Sequence, residues 1–291
     1  MRPAVLIGII AIIAIAGGAL SAFKFSAEPP PPLPPPAPEV QSPTYRTIGT
    51  SVEGRNIDSY TYGTGKTHIV FVGGIHGGYE WNSVLIAYNL KDYLDAHPEA
   101  VPQNERITII PDANPDGVYK VVKKEGRFDS ADVPKGDISY GRFNAHEVDL
   151  NRNFDCKWAP SGTWQNKTVS GGIAAFSEPE AAAIRDYAVN EKPDAFVFWH
   201  SASGGVYASQ CGNGILPKTL EMMKAYADAS GYAAVKEFTA YEVHGASEDW
   251  LASIGVPAIT VELSTHDSVE WQKNLEGIQA FLRYFAASTA S

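Results

Sequence analysis

From about residue 44 onward, apolar runs of strand length alternate with segments whose apolar residues recur every three or four positions. His68–Val72 (HIVFV), Thr108–Ile110, Ala195–Trp199 and Ala258–Leu263 (AITVEL) read as buried strands. Glu80–Ala96, Glu178–Asn190, Leu220–Ser230 and Val269–Phe285 carry the helical period. Strands that alternate with helices predict an α/β fold, with a mixed, mostly parallel central sheet covered by helices on both faces. The polar groups that interrupt this pattern fall at strand ends. His76 follows the first run across a Gly73-Gly74 turn, His200 closes AFVFWH, and Glu262 lies inside AITVEL. Ligands of open α/β sheets gather beyond the carboxyl ends of the strands, so these three are expected to converge despite their separation in sequence.

The N-terminus breaks the pattern. Residues 4–23, AVLIGIIAIIAIAGGALSAF, carry no charge and are long enough to cross a ~30 Å hydrocarbon layer. Arg2 precedes the run and Lys24 follows it, and no A-x-A cleavage site is evident, so a retained membrane anchor is favoured over a cleaved signal peptide. Residues 24–43 are a linker, rich enough in proline to act as a stiff extended spacer. Residues 44–291 are then expected to form one catalytic domain outside the cytoplasm, membrane-anchored or, if the signal is cleaved, secreted. A net charge of −10 argues against a broad nucleic-acid-binding surface. Cys156 and Cys211 are the only cysteines, and an oxidising compartment makes a disulfide between them an expectation, with two buried thiols as the alternative.

Chemistry concentrates in a few short segments. GGIHGGYEWN (73–82) sets His76 and Glu80 in a glycine-rich turn, where the backbone bends without side-chain clash and leaves imidazole and carboxylate free to face one ion. Glu262 is the strongest anomaly, since a carboxylate inside an apolar strand costs several kcal/mol unless it is paired, protonated or serves a metal site. Two histidines and a glutamate around one zinc, with a separate glutamate as general base, is an arrangement suited to hydrolysis.

In order along the chain, GGIHGGYEWN, NPDG (114–117), VDLNRNFD (148–155), FSEPE (176–180), WHSASGG (199–205), YEVHGASEDW (241–250) and ITVEL (259–263) resemble the zinc carboxypeptidase A family, over almost all of residues 47–285. The resemblance implies that His76, Glu80 and His200 bind one zinc ion and that Glu262 is the general base and later proton donor. It implies that Arg142 polarises the scissile carbonyl, that Asn151 and Arg152 clamp the substrate's terminal carboxylate, and that Tyr241 closes over bound substrate. Glu248 falls where the family lines the pocket for the terminal side chain, so a basic terminal residue is expected there. One departure stands out: the family's first motif is H-x-x-E, whereas three residues separate His76 from Glu80. One residue turns a helix by about 100°, so the turn itself must absorb the extra glycine.

With 43 residues ahead of the domain, a folded inhibitory prosegment is not expected, and control through location and substrate access is. The expected activity is that of a carboxypeptidase, with peptide or peptidoglycan stem peptide as partner. The alternatives are a stem-peptide amidase of γ-glutamyl-diaminopimelate type, an N-acyl amino acid deacylase, and a non-catalytic peptide- or wall-binding module.

Overall fold

The computed structural model describes residues 42–288. In chain order the elements begin with strands β1 (Thr44–Thr50), β2 (Asn56–Tyr62) and β3 (Thr67–Val72), helix α1 (Trp81–Ala96), strand β4 (Glu105–Ile110) and helix α2 (Pro115–Val122). A small hairpin, β5 (Ser161–Trp164) and β6 (Lys167–Ser170), precedes α3 (Pro179–Glu191), β7 (Ala195–Ser201) and β8 (Gly205–Ala208). The chain ends with α4 (Pro217–Ser230), β9 (Ala233–Val235), α5 (Ser247–Ser253), β10 (Ala258–Leu263) and α6 (Trp271–Ser288).

Eight strands form one mixed sheet in the order β1-β2-β4-β3-β7-β10-β8-β9. Its centre, β4-β3-β7-β10, is parallel, while β1, β2 and β8 join through antiparallel pairs. The centre is parallel because its strands are apolar on both sides. Every residue of β3 and of β7 is buried, and alternate residues feed separate cores. Ile69, Phe71, Val197, Trp199 and Val261 pack beneath α1, α4 and α6, where Leu90, Met222 and Phe281 meet them. Val70, Val72, Phe196, Phe198 and Ala258 pack on the other face against Ile184 of α3 and Trp250 and Leu251 of α5.

The predicted buried strands and long helices are all present, with ends displaced by a few residues. The expected helix start at Glu80 differs more: Gly77–Glu80 is a separate 3₁₀ turn ahead of α1. Strands β1, β2, β8 and β9 had no sequence signal, since they are short, polar or at the sheet edge. NPDG proves to start a helix. The Asn114 side chain accepts a hydrogen bond from Gly117 N at 3.0 Å, and Pro115, which has no N–H to lose, opens α2.

Cys156 and Cys211 form the expected disulfide, with Cα atoms 5.9 Å apart across a sequence separation of 55. It ties the loop after residue 150 to the segment beyond β8. Closing a loop of that length restricts the unfolded chain by about 4 kcal/mol. Cys211→Ser is therefore expected to cost about 2–4 kcal/mol, measured by denaturant unfolding. A midpoint equal to wild type would remove the bridge from the stability account.

The expected anchor and most of the linker, residues 4–23 and 24–41, lie outside the described residues. Among the described residues no helix is long and apolar enough to cross a membrane.

Candidate active site

The chain leaves β3 toward β4 on one side of the sheet, whereas the strands that follow β7 in sequence lie on the other side. The carboxyl ends of β3 and β7 therefore flank a crevice. His76 lies just past β3 and His200 is the sixth residue of β7. Glu262 is paired in register with His200 across the β7–β10 ladder, so both side chains project from the same face.

The turn after β3 resolves the unusual spacing. Gly77 has φ +46, and a Cβ there would lie 2.6 Å from Gly141 O and 2.8 Å from Gly117 Cα. Only glycine fits this backbone, and its turn brings the Glu80 carboxylate back onto His76. His76 Nδ1 lies 2.7 Å from Glu80 Oε1, His200 Nδ1 lies 2.9 Å from Glu80 Oε2, and the two Nδ1 atoms are 3.1 Å apart. All three residues are buried, and their ligand atoms lie within 4.8 Å of one another. A tetrahedral ion with bonds of ~2.0–2.1 Å needs donors about 3.3 Å apart, so this donor set suits zinc.

The electrostatics point the same way. Burial opposes ionisation of Glu80, yet the two imidazoles hold its carboxyl well below the usual range. Burial also works against a charged His200, but Glu80 outweighs it and pushes the ring up to about 9. The centre of the cluster thus attracts positive charge, the condition a cation satisfies. Glu262 behaves in the opposite sense: burial, followed by the Glu80 carboxylate, pushes it up to about 7. Its Oε2 is buried without a hydrogen-bond partner.

Asp149, which had not been singled out from the sequence, organises the neighbouring wall. It is fully buried, and its Oδ2 accepts from Arg142 Nε at 2.9 Å and lies 2.9 Å from the same guanidinium's second nitrogen. Its Oδ1 accepts from Asn151 N at 3.1 Å and lies 3.3 Å from His76 Nε2. Burial disfavours its charge, but Arg142, followed by Arg152 and His76, holds its carboxyl well below the usual range. One carboxylate thus fixes the arginine and stands beside a metal-side histidine, where the outer support of a metal site is expected. The available signal was an acid two residues before Asn151 in VDLNRN. Arg142 also stacks over Trp164 at 4.6 Å and lies 3.6 Å from Glu80 Oε1.

Asn151 and Arg152 form the far wall. Asn151 Oδ1 accepts from Ser247 N at 2.8 Å and is 3.0 Å from Ser247 Oγ, which leaves its amide nitrogen as a donor. Arg152 donates to Asn151 O and Thr163 O, while its Nε is buried without a partner. Gly245 holds this loop close, since a Cβ there would come within 2.3 Å of Arg152 O. Tyr241 lies with its ring 6.0 Å from the Arg152 guanidinium, and its edge meets Phe238. Glu248 lies in the first turn of α5 next to Asp249, whose carboxyl burial and then Glu248 push up to about 7. All nine residues singled out from the sequence line one cavity of about 800 Å³.

The zinc carboxypeptidase family model matches residues 41–282. The chain belongs to the zinc carboxypeptidase family. It is 30% identical over 151 residues to zinc carboxypeptidase A 1 of Anopheles gambiae, an alignment covering 49% of this chain and 33% of that protein. The chain thus spans about a third of the length of that curated relative. Bovine thrombin-activatable fibrinolysis inhibitor, solved with a tick carboxypeptidase inhibitor, shares the fold at a TM-score of 0.69 and 18% identity, covering 85% of this chain and 91% of its own. The murein-tripeptide amidase of Escherichia coli O157 shares it at a TM-score of 0.60 and 20% identity, covering 83% of this chain and 92% of its own. Zinc is the family's metal, and His76, Glu80 and His200 are the group of residues suited to hold it.

Proposed function

We propose that this chain is a zinc carboxypeptidase that hydrolyses the C-terminal peptide bond of a peptide. One observation carries the reading: Glu262 stands beside His200 in register, in the same cavity as the Asn151–Arg152 wall, so a base and an anion clamp flank one metal cluster.

His76, Glu80 and His200 would hold the zinc, which when bound would lower the pKa of a water toward ~7 and supply Lewis acidity to the scissile carbonyl. The chain's own groups carry the rest. Arg152 and the Asn151 amide nitrogen hold the terminal carboxylate, a charge-assisted contact that fixes the chain end. Glu262 accepts the proton from the attacking water and returns it to the leaving amine. Arg142, fixed by Asp149, donates to the oxygen on which negative charge develops, and being preoriented it pays no reorganisation cost at that moment. Tyr241 covers the bound terminus and excludes water.

Glu248 selects the terminal side chain. A carboxylate in a partly enclosed pocket favours lysine or arginine. Glu248→Ile is expected to shift kcat/KM from basic toward apolar terminal residues by at least about tenfold, the value of one ion pair of roughly 1.4 kcal/mol. An unchanged ranking across a peptide panel would dismiss Glu248 as the pocket residue.

A second reading is an amidase acting on peptidoglycan stem peptides, supported by the likeness to the murein-tripeptide amidase over 92% of that chain. Zinc-loaded protein assayed on both substrate classes decides between them. Release of single C-terminal residues from ordinary peptides is expected, and cleavage confined to stem peptides would replace the first reading with the second.

The apolar run 4–23, the proline-rich spacer and the Cys156–Cys211 bridge support placement outside the cytoplasm on a membrane tether. Recovery of the full chain in a soluble fraction without detergent would overturn the tether.

A further inference from the structure

His266 lines the same cavity, beside residues adjacent to the metal cluster. Its ring packs on Tyr79, the neighbour of Glu80, at 4.4 Å between centroids, and Tyr79 meets Trp164 edge-on at 5.2 Å. Its Nδ1 lies 2.8 Å from the hydroxyl of Ser201, the neighbour of His200.

The hydrogen bonds determine which ring nitrogen carries the proton. The Asn82 amide nitrogen donates to Thr265 O at 2.6 Å and to Ser268 O at 2.9 Å, so the amide cannot be turned over without setting its oxygen against two carbonyls. Asn82 Oδ1 is therefore an acceptor, and it takes the single hydroxyl proton of Ser201 at 2.9 Å. With that proton committed, Ser201 Oγ can only accept from His266. His266 must carry its proton on Nδ1, and Nε2 is left as a bare lone pair with no hydrogen-bond partner among the described residues. Burial lowers the ring's affinity for a second proton.

We propose that His266 Nε2 accepts a hydrogen bond from a substrate main-chain N–H upstream of the scissile bond. This inference rests on the carboxypeptidase reading above. A peptide with its terminus at Asn151 and Arg152 and its scissile carbonyl at the metal cluster has its upstream residues in the same cavity, which Tyr79, Trp164 and His266 also line. There an extended chain presents N–H donors, for which a bare imidazole nitrogen is the complement. A substrate too short to reach His266 forfeits the contact, so His266 favours peptides over single acylated amino acids.

The test measures binding, so that it does not depend on turnover. N-acetyl-Ala-Ala-Ala-Lys and two analogues, each N-methylated at one of the alanine amides ahead of the scissile bond, are titrated calorimetrically into zinc-loaded Glu262→Gln protein. The same titrations are run with His266→Phe and His266→Gln added. His266→Phe is expected to weaken the parent peptide about fivefold, the value of one neutral hydrogen bond. One of the two N-methylations should weaken binding by at least as much in the His266 protein and no further in His266→Phe. His266→Gln, which keeps an acceptor, should recover part of the loss and the sensitivity to N-methylation, and serves as the reporting variant if the phenylalanine protein does not fold. Additive losses, or a parent affinity unchanged by His266→Phe, would overturn the role of His266 alone. Absence of binding by any of the peptides would overturn the carboxypeptidase reading and this inference with it.

Discussion

Glu262→Gln in the zinc-loaded protein is expected to lower kcat by about 10³-fold, within the range that one positioned acid or base contributes. Zinc content and the unfolding midpoint should be unchanged, because Glu262 is not one of the three clustered ligands and its Oε2 has no protein partner to lose. The glutamine keeps the shape of the carboxylate but can neither accept the water's proton nor hand one to the departing amine. The KM should move little, since the terminal carboxylate is assigned in the proposed reading to Asn151 and Arg152 and not to Glu262. Turnover within a factor of a few of wild type, with zinc fully bound, would assign the proton transfer to another group.

The second large effect concerns the displaced motif. Glu80→Ala removes the carboxylate that touches both imidazoles and leaves two neutral donors for a divalent cation. Zinc affinity should fall by more than about 100-fold, because even the outer partners of metal ligands are each worth 10–100-fold. Activity should fall with occupancy and return in part at high added zinc. Metal analysis after dialysis against a chelator reads this directly. Stoichiometric zinc in the variant would mean that the His76–Glu80 contact of 2.7 Å is a structural ion pair and that the third ligand lies elsewhere.

The two variants separate the roles of two glutamates in one cavity. Glu80 lies between two imidazoles that stabilise its charge, whereas Glu262 feels Glu80 as a neighbouring negative charge. These environments drive the two carboxyls in opposite directions. Such a division between a fixed anion and a group ready to exchange a proton is what acid–base hydrolysis at a metal centre requires.

Much of this was legible from the linear pattern, for identifiable reasons. Strands β3, β7 and β10 are apolar runs because both of their faces are covered, and a carboxylate inside such a run is costly unless paired, protonated or serving a metal, whereas a histidine at its end is more often a hydrogen-bonded core residue. Glu262 stood out for that reason. Arg142, Asn151 and Arg152 were singled out only as members of an ordered set of motifs, because a lone arginine in a loop has no periodicity to violate. Asp149 escaped notice because an aspartate before LNRN looks like an ordinary turn residue. Its weight comes from complete burial among Arg142, His76 and Asn151, and burial in a loop leaves no trace in the sequence. His266 lay in a polar stretch after β10 and was silent in the same way. Strands β8 and β9 were illegible because they are too short for a period of two to repeat.

The sequence by itself determined the order of the chemistry: a histidine after one buried strand, a histidine ending another, a glutamate within a third, and two cysteines able to pair. Those are local properties, set by which side chains interrupt apolar runs. Only the tertiary structure decided that Glu80 reaches His76 across an additional residue, because the answer depends on Gly77 adopting φ +46 against Gly117 and Gly141, two glycines far along the chain. It also decided that Glu262 stands opposite His200, since strand register is set by the packing of two cores and not by either strand alone. The proton on His266 is likewise a tertiary property, imposed by Asn82 and Ser201 from two different elements. A sequence names the groups available, whereas direction, register and hydrogen-bond polarity arise only when distant segments compete for the same space and the same protons.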